Sequence, residues 1–118
     1  MSKRIIHLKQ NLVANIKHKW TLQEMGNEVN LSVSHLRMLF RTINGLPPLR
    51  FLRHERLKKA RNLLESTSLS VKEVRNEVGM SDPAHFSRGF KEMFGSTPSV
   101  YRNLFRKTYT RAKIRITR

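Results

Sequence analysis

The run "TLQEMGNEVNLS" occupies residues 21–32, and "SVKEVRNEVGMS" occupies residues 70–81. The second repeats the pattern of the first roughly fifty positions on, and self-similarity of this kind dictates architecture before any other feature is weighed. In the first copy Thr21 and Glu24 have the spacing of a capping box, with Trp20 and Met25 at the two positions of a hydrophobic staple. Ser70, Glu73, Leu69 and Val74 fill the same places in the second copy. Two short helices are therefore expected to begin by one device, ending near Asn30 and Gly79.

Each is followed by a second cap and another apolar-periodic run. Ser32 opens "SVSHLRMLFRTING", and Ser81 or Asp82, with Pro83 placed well for the first helical turn, opens "SDPAHFSRGFKEMFG". His35 then aligns with His85, Phe40 with Phe90, Gly45 with Gly95 and Pro48 with Pro98. The glycines read as helix ends and the prolines as the start of the next element. A helix, a turn of three or four residues and a second helix form a helix-turn-helix unit, and the chain holds two.

Around them, Ile5, Leu8, Leu12 and Ile16 predict a leading helix over about residues 4–18. Leu49, Leu52, Leu57, Ala60, Leu63 and Leu64 predict another over about 48–65, and nothing reads as a strand. The expected fold is all-α, with two helix-turn-helix subdomains at 1–47 and 67–105, a central linking helix at 48–66 and a basic tail at 106–118.

The charge is not what a fold of this kind requires. Across 118 residues, 24 Lys and Arg stand against 8 Asp and Glu, giving a formal charge of +16 and a pI near 11.5. Such an excess repels itself and calls for a polyanionic partner; nucleic acid, acidic membrane and acidic protein are all compatible with charge alone. The absence of cysteine excludes disulfides, thiolate chemistry and cysteine-based metal sites. "MSKRIIHLKQNLV" lacks the continuous apolar core of a signal peptide, and no stretch approaches the apolar length of a membrane span. A soluble, cytoplasmic chain associated with the nucleoid is expected.

The faces of the second helices carry the functional reading. In the second unit, Phe86, Phe90, Met93 and Phe94 form the stripe a helix buries, leaving Ala84, Ser87, Arg88 and Lys91 outward with His85 at the edge. Arg88 is the best candidate for a base contact, since a guanidinium can donate two parallel bonds to guanine; the plainer alternative is a phosphate contact. In the first unit Leu36, Leu39, Phe40 and Ile43 form the stripe and Ser34, Arg37, Met38 and Arg41 stand outside. Met38, at the repeat position of Arg88, either meets thymine methyl groups or is a partly buried methionine. A linking helix of eighteen residues would span roughly 27 Å, comparable to the turn of about 34 Å between successive major-groove openings on one face of a duplex. Two reading heads on one chain are then expected to enter successive grooves.

Other chemistry finds little purchase. His35 and His85 have no second ligand at metal-binding spacing, so no metal or other cofactor is expected. Glu24, Glu28, Glu73 and Glu77 read as caps and solvated faces rather than catalytic carboxylates. Neither a catalytic triad nor a phosphate-cradling glycine loop is present, so the chain is not expected to be an enzyme. "RFLRHERLKKAR" at 50–61 and "RKTYTRAKIRITR" at 106–118 are suited to neutralising phosphates. The rival class, a basic RNA-binding or ribosome-associated protein, lacks an exposed aromatic stacking pair here.

At this point the residues resemble a known family. "GMSDPAHFSRGFKEMFGSTPSVYR" at 79–102 is similar to the signature of the AraC/XylS transcription regulators, carried by Gly79, Phe86, Arg88, Phe90, Lys91, Gly95, Pro98, Tyr101 and Arg102. "RLKKARNLL" at 56–64 resembles that family's linking helix, and residues 21–48 its first unit. The resemblance covers roughly residues 5–103. It implies about seven helices in two subdomains that contact adjacent major grooves of double-stranded DNA, and activation of transcription through RNA polymerase. Carried over by position, it places base contacts at Ser34, Arg37, Met38, Pro83, Ala84, His85, Ser87 and Arg88. Contacts to the DNA backbone are expected at Arg41, Arg50, Lys59, Lys91 and Arg102. Three departures from the pattern stand out: Arg75 stands where the family keeps a small alanine, Met80 replaces a phenylalanine, and Pro83 and Ala84 bring no side-chain hydrogen bonds to bases. The DNA-binding module accounts for nearly all of the chain, so no small-molecule effector site is expected within it.

Overall fold

The computed structural model describes residues 3–106, so the tail expected over 106–118 lies outside the described residues except for Arg106. All regular structure among them is helical: α1 (Lys3–Ala14), α2 (Leu22–Val29), α3 (Val33–Asn44), α4 (Pro48–Ser66), α5 (Val71–Glu77), α6 (Pro83–Phe94) and α7 (98–106). Contacts divide the chain into two compact units between Arg56 and Leu57. The boundary falls inside α4, so that helix supplies Phe51 and Leu52 to one core and Leu57, Ala60 and Leu64 to the other.

In the first unit, Ile5, Leu8 and Leu12 of α1 meet Met25 and Val29 of α2, Leu36 and Phe40 of α3, and Phe51 and Leu52 of α4. α1 is shorter than its periodicity predicts. Ile16 is still buried, but from a turn: the carbonyl of Asn15 accepts the Trp20 indole N–H, and those of Ile16 and His18 accept the Arg56 guanidinium. Side chains from beyond the helix, one nearby and one some forty residues on, thus take up the carbonyls that follow its last turn.

In the second unit, Leu57, Ala60 and Leu64 meet Val74 and Val78 of α5, Met80 of the turn, and Phe86 and Phe90 of α6. Phe90 has ring neighbours in Phe94 and Tyr101, with centroids 4.8 and 5.6 Å away. The two stripes read from sequence are therefore only partly buried: Leu39, Met93 and Phe94 are half-buried, and Ile43 lies on the surface.

The caps also differ. Ser70 and Glu73 form a complete capping box, each side chain bonding the other's backbone N–H at 3.0 Å. Thr21 accepts from the Glu24 N–H, but the Glu24 carboxylate lies 2.8 Å from His18 Nε2 instead, so the expected first box is half-formed. The Ser70 backbone N–H, and after it the hydroxyl, hold the Glu73 carboxyl below its ordinary pKa.

Candidate nucleic-acid interface

The second helix of each unit is aimed by what precedes it. Asn30 and Gly79, equivalent in the repeat, both adopt the left-handed conformation, with φ of 56° and 79°. The next N–H closes the turn in the same way in both, from Leu31 to the Gly26 carbonyl and from Met80 to the Arg75 carbonyl. Beyond this the units part. Ser32 caps α3 directly, whereas α6 waits one residue longer for Asp82, whose carboxylate accepts from the Ala84 and His85 N–H groups with Pro83 in the first turn. Asp82, rather than Ser81, is thus the cap.

Leu36 and Phe40 fix the inward face of α3, which leaves Ser34, Arg37, Met38 and Arg41 exposed along one side. Met38 is 61% exposed, so the reading of it as a partly buried methionine is set aside. On α6 the inward face is Phe86, Gly89 and Phe90; Pro83, Ala84, His85, Arg88 and Lys91 are exposed and Ser87 is half-buried. Neither helix has an acidic residue in its first turn, although α6 carries the Asp82 carboxylate at its cap.

Several arginines are taken up by backbone carbonyls, and Arg61 pairs with Glu65 over the Phe94 ring. Arg4 donates to the Val29 carbonyl, Arg56 to those of Ile16 and His18, and Arg75 to those of Met80 and Ser81. By contrast Arg37, Arg41, Arg88 and Lys91 carry exposed side chains that make no hydrogen bond or ion pair within the described residues. Arg50 and Lys59 on α4 are exposed as well.

Arg102 corrects the sequence reading. Expected at the DNA backbone, it is 6% exposed, and its guanidinium donates to the carbonyls of Leu64 and Leu69. It stands in the repeat where Leu52 stands in the first unit, tying the α4–α5 connection as Arg56 ties the one before α2. Burial lowers the pKa of both guanidinium groups, and nearby Arg106 adds to the effect at Arg102. A charged residue aligned with a core leucine was the signal available in the sequence.

A family model described as a helix-turn-helix domain matches residues 25–104. The HTH-type transcriptional regulator MtrA of Neisseria gonorrhoeae is 35% identical over 100 residues, which are 85% of this chain and 33% of that protein. Among solved structures, a probable AraC family transcriptional regulator from Rhodopseudomonas palustris is similar at 25% identity and a TM-score of 0.78, covering 88% of this chain and 98% of that one. The DNA-binding domain of AdpA, a global transcriptional factor solved in complex with a target DNA, shares the fold at a TM-score of 0.87 and 24% identity, covering 91% of this chain and 96% of that one. The chain spans about a third of the length of the curated relatives it matches.

Proposed function

Since this chain belongs to the AraC/XylS family of helix-turn-helix proteins, we propose that it binds double-stranded DNA sequence-specifically and regulates transcription, with α3 and α6 as its two recognition helices. The observation that carries the reading is the division among the arginines. In a chain where several guanidinium groups are taken up by backbone carbonyls, those on the outward faces of α3 and α6 make no hydrogen bond or ion pair among the described residues. Groups of that kind can neutralise phosphates and read base edges.

Residue by residue, we assign base contacts to Ser34, Arg37, Met38, Pro83, Ala84, His85, Ser87 and Arg88. Phosphate contacts fall to Arg41, Arg50, Lys59 and Lys91. Met38 offers an apolar surface suited to thymine methyl groups, and Arg88 a fork suited to guanine. The α6 end of the site relies more on DNA shape, because Pro83 and Ala84 carry no side-chain donors. The protein acts in the cytoplasm as an activator, with RNA polymerase as its protein partner and without catalysis, cofactor or effector bound to this module.

Selection of bound duplexes from a random pool, followed by footprinting, tests this directly. The expected result is a bipartite site whose halves lie about ten base pairs apart. A pool that yields no shared sequence, or RNA of equal length competing as well as the selected duplex at fixed salt, would instead identify a general polyanion binder.

A further inference from the structure

The turn of the second unit contains a side chain that the first unit excludes. Gly26, at the equivalent position, is buried against the turn so closely that a Cβ there would lie 2.7 Å from the Leu31 carbonyl oxygen. No side chain fits that gap without moving backbone. In the second unit the same position is Arg75, and its Nη1 donates to the Met80 carbonyl at 3.1 Å and to the Ser81 carbonyl at 2.8 Å. Those two residues lie between the left-handed Gly79 and the Asp82 cap of α6. Five residues separate α5 from α6, against three between α2 and α3, so the added slack and the arginine occur together.

We propose that Arg75 is a positioning residue for DNA recognition: its guanidinium braces the lengthened turn and thereby sets where the first turn of α6 presents Pro83, Ala84, His85 and Arg88. The inference rests on the DNA-binding reading above. A longer turn has more backbone freedom to lose. A donor that bridges two successive carbonyls removes part of that freedom where an error in aim is carried to every base-facing side chain of the helix. The first unit needs no brace, because direct contact between Gly26 and the turn does the same work.

The test uses the whole chain, the duplex selected above and a random duplex of equal length. Arg75→Met keeps the aliphatic stem and removes the donors; Arg75→Lys keeps the charge. For Arg75→Met the ratio of selected to random affinity is expected to fall about tenfold, comparable to one mismatched base pair, while random-duplex affinity and its salt dependence hold. Arg75→Lys is expected to recover only part of the ratio. Equal losses on both duplexes, with the salt slope reduced by about one and full recovery in Arg75→Lys, would make Arg75 a phosphate contact and overturn the proposal. An unchanged ratio in Arg75→Met would overturn it too. Failure of the unmodified chain to prefer any duplex would instead strike the reading on which the proposal rests.

Discussion

The two units share one plan up to the turn and are stiffened differently beyond it. Their first helices start on aligned hydroxyl caps, their turns bend at aligned left-handed residues, and their second helices end at Gly45 and Gly95 with φ of 83° and 88°. The first unit is held by close approach: a buried glycine against a carbonyl, a leucine at position 52, and the Phe40–Phe51 pair in its core, at 5.4 Å. The second replaces each of these by a polar or aromatic device. Arg75 stands for Gly26, Arg102 for Leu52, and Tyr101 for Phe51, its hydroxyl donating to the Glu65 carboxylate. Packing and hydrogen bonding are thus alternative ways of fixing the same backbone path, and they fail under different insults.

The largest effect is expected where the second unit concentrates its packing. Phe90→Ala should destabilise that unit by about 3–5 kcal/mol, because Phe90 is fully buried and has the rings of Phe86, Phe94 and Tyr101 as neighbours. Denaturant melts followed by hydrogen exchange should show protection lost in α5 and α6 first. A melt unchanged from the parent chain would mean that the inward face of α6 is misassigned. Phe40→Ala is the matched control, and equal loss of protection in both units from either variant would dissolve the comparison into one cooperative body.

Next comes the glycine. Gly26→Ala should destabilise the first unit by about 1–3 kcal/mol, as overpacking does, despite the better helix propensity of alanine, because the obstructing atom is backbone oxygen. The matched change in the second unit, Arg75→Ala, should cost less stability, since a Cβ is already accommodated there. Thermal melts of the two variants check the order; a reversed order would show that the two turns are not equivalent after all.

Similar in size but read in binding is the contrast between Arg88 and Lys59. Arg88→Ala should cost about 1–3 kcal/mol at the selected site and relax discrimination at one position, whereas Lys59→Ala should weaken all duplexes alike. Titrations on selected and random DNA separate them. Equal losses for Arg88→Ala on both would move Arg88 to the phosphate set.

How much of the molecule is legible in its sequence depends on the range of the interactions. Caps, turn residues and buried stripes depend on neighbours within four or five positions, so Thr21, Ser70, Gly45, Gly95, Leu36 and Phe86 announce their elements. Apart from the half-formed cap at Thr21, where Glu24 turns to His18, the misread features depend on partners far along the chain. Beyond the end of α1 at Ala14, the carbonyls of Ile16 and His18 accept from Arg56, about forty residues away. Arg102 goes inward because Leu64 and Leu69 present carbonyls to it. The oddity of Arg75 against Gly26 was visible in the repeat, but the two carbonyls it bridges were not. The outward residues of α3 and α6 were legible because a buried stripe fixes the opposite face of any helix.

The smallest effect sharpens the difference between Phe51 and Tyr101. Burial, followed by the hydrogen bond to Glu65 and the charge of that carboxylate, raises the Tyr101 hydroxyl above the ordinary phenol value of 10.0, against a smaller opposing influence of Arg61. A group with a raised folded-state pKa contributes stability that is fully present below its unfolded value and is lost as pH rises through the folded one. The second unit should therefore loosen in alkali above pH 10, while the first, with phenylalanine at the aligned position, carries no such dependence. Tyr101→Phe should remove the alkaline loss from the second unit, at the cost of its hydrogen bond at neutral pH. Melts of parent and variant between about pH 8 and 11 measure this, and parallel curves across that range would show that the Tyr101–Glu65 contact does not contribute to folding.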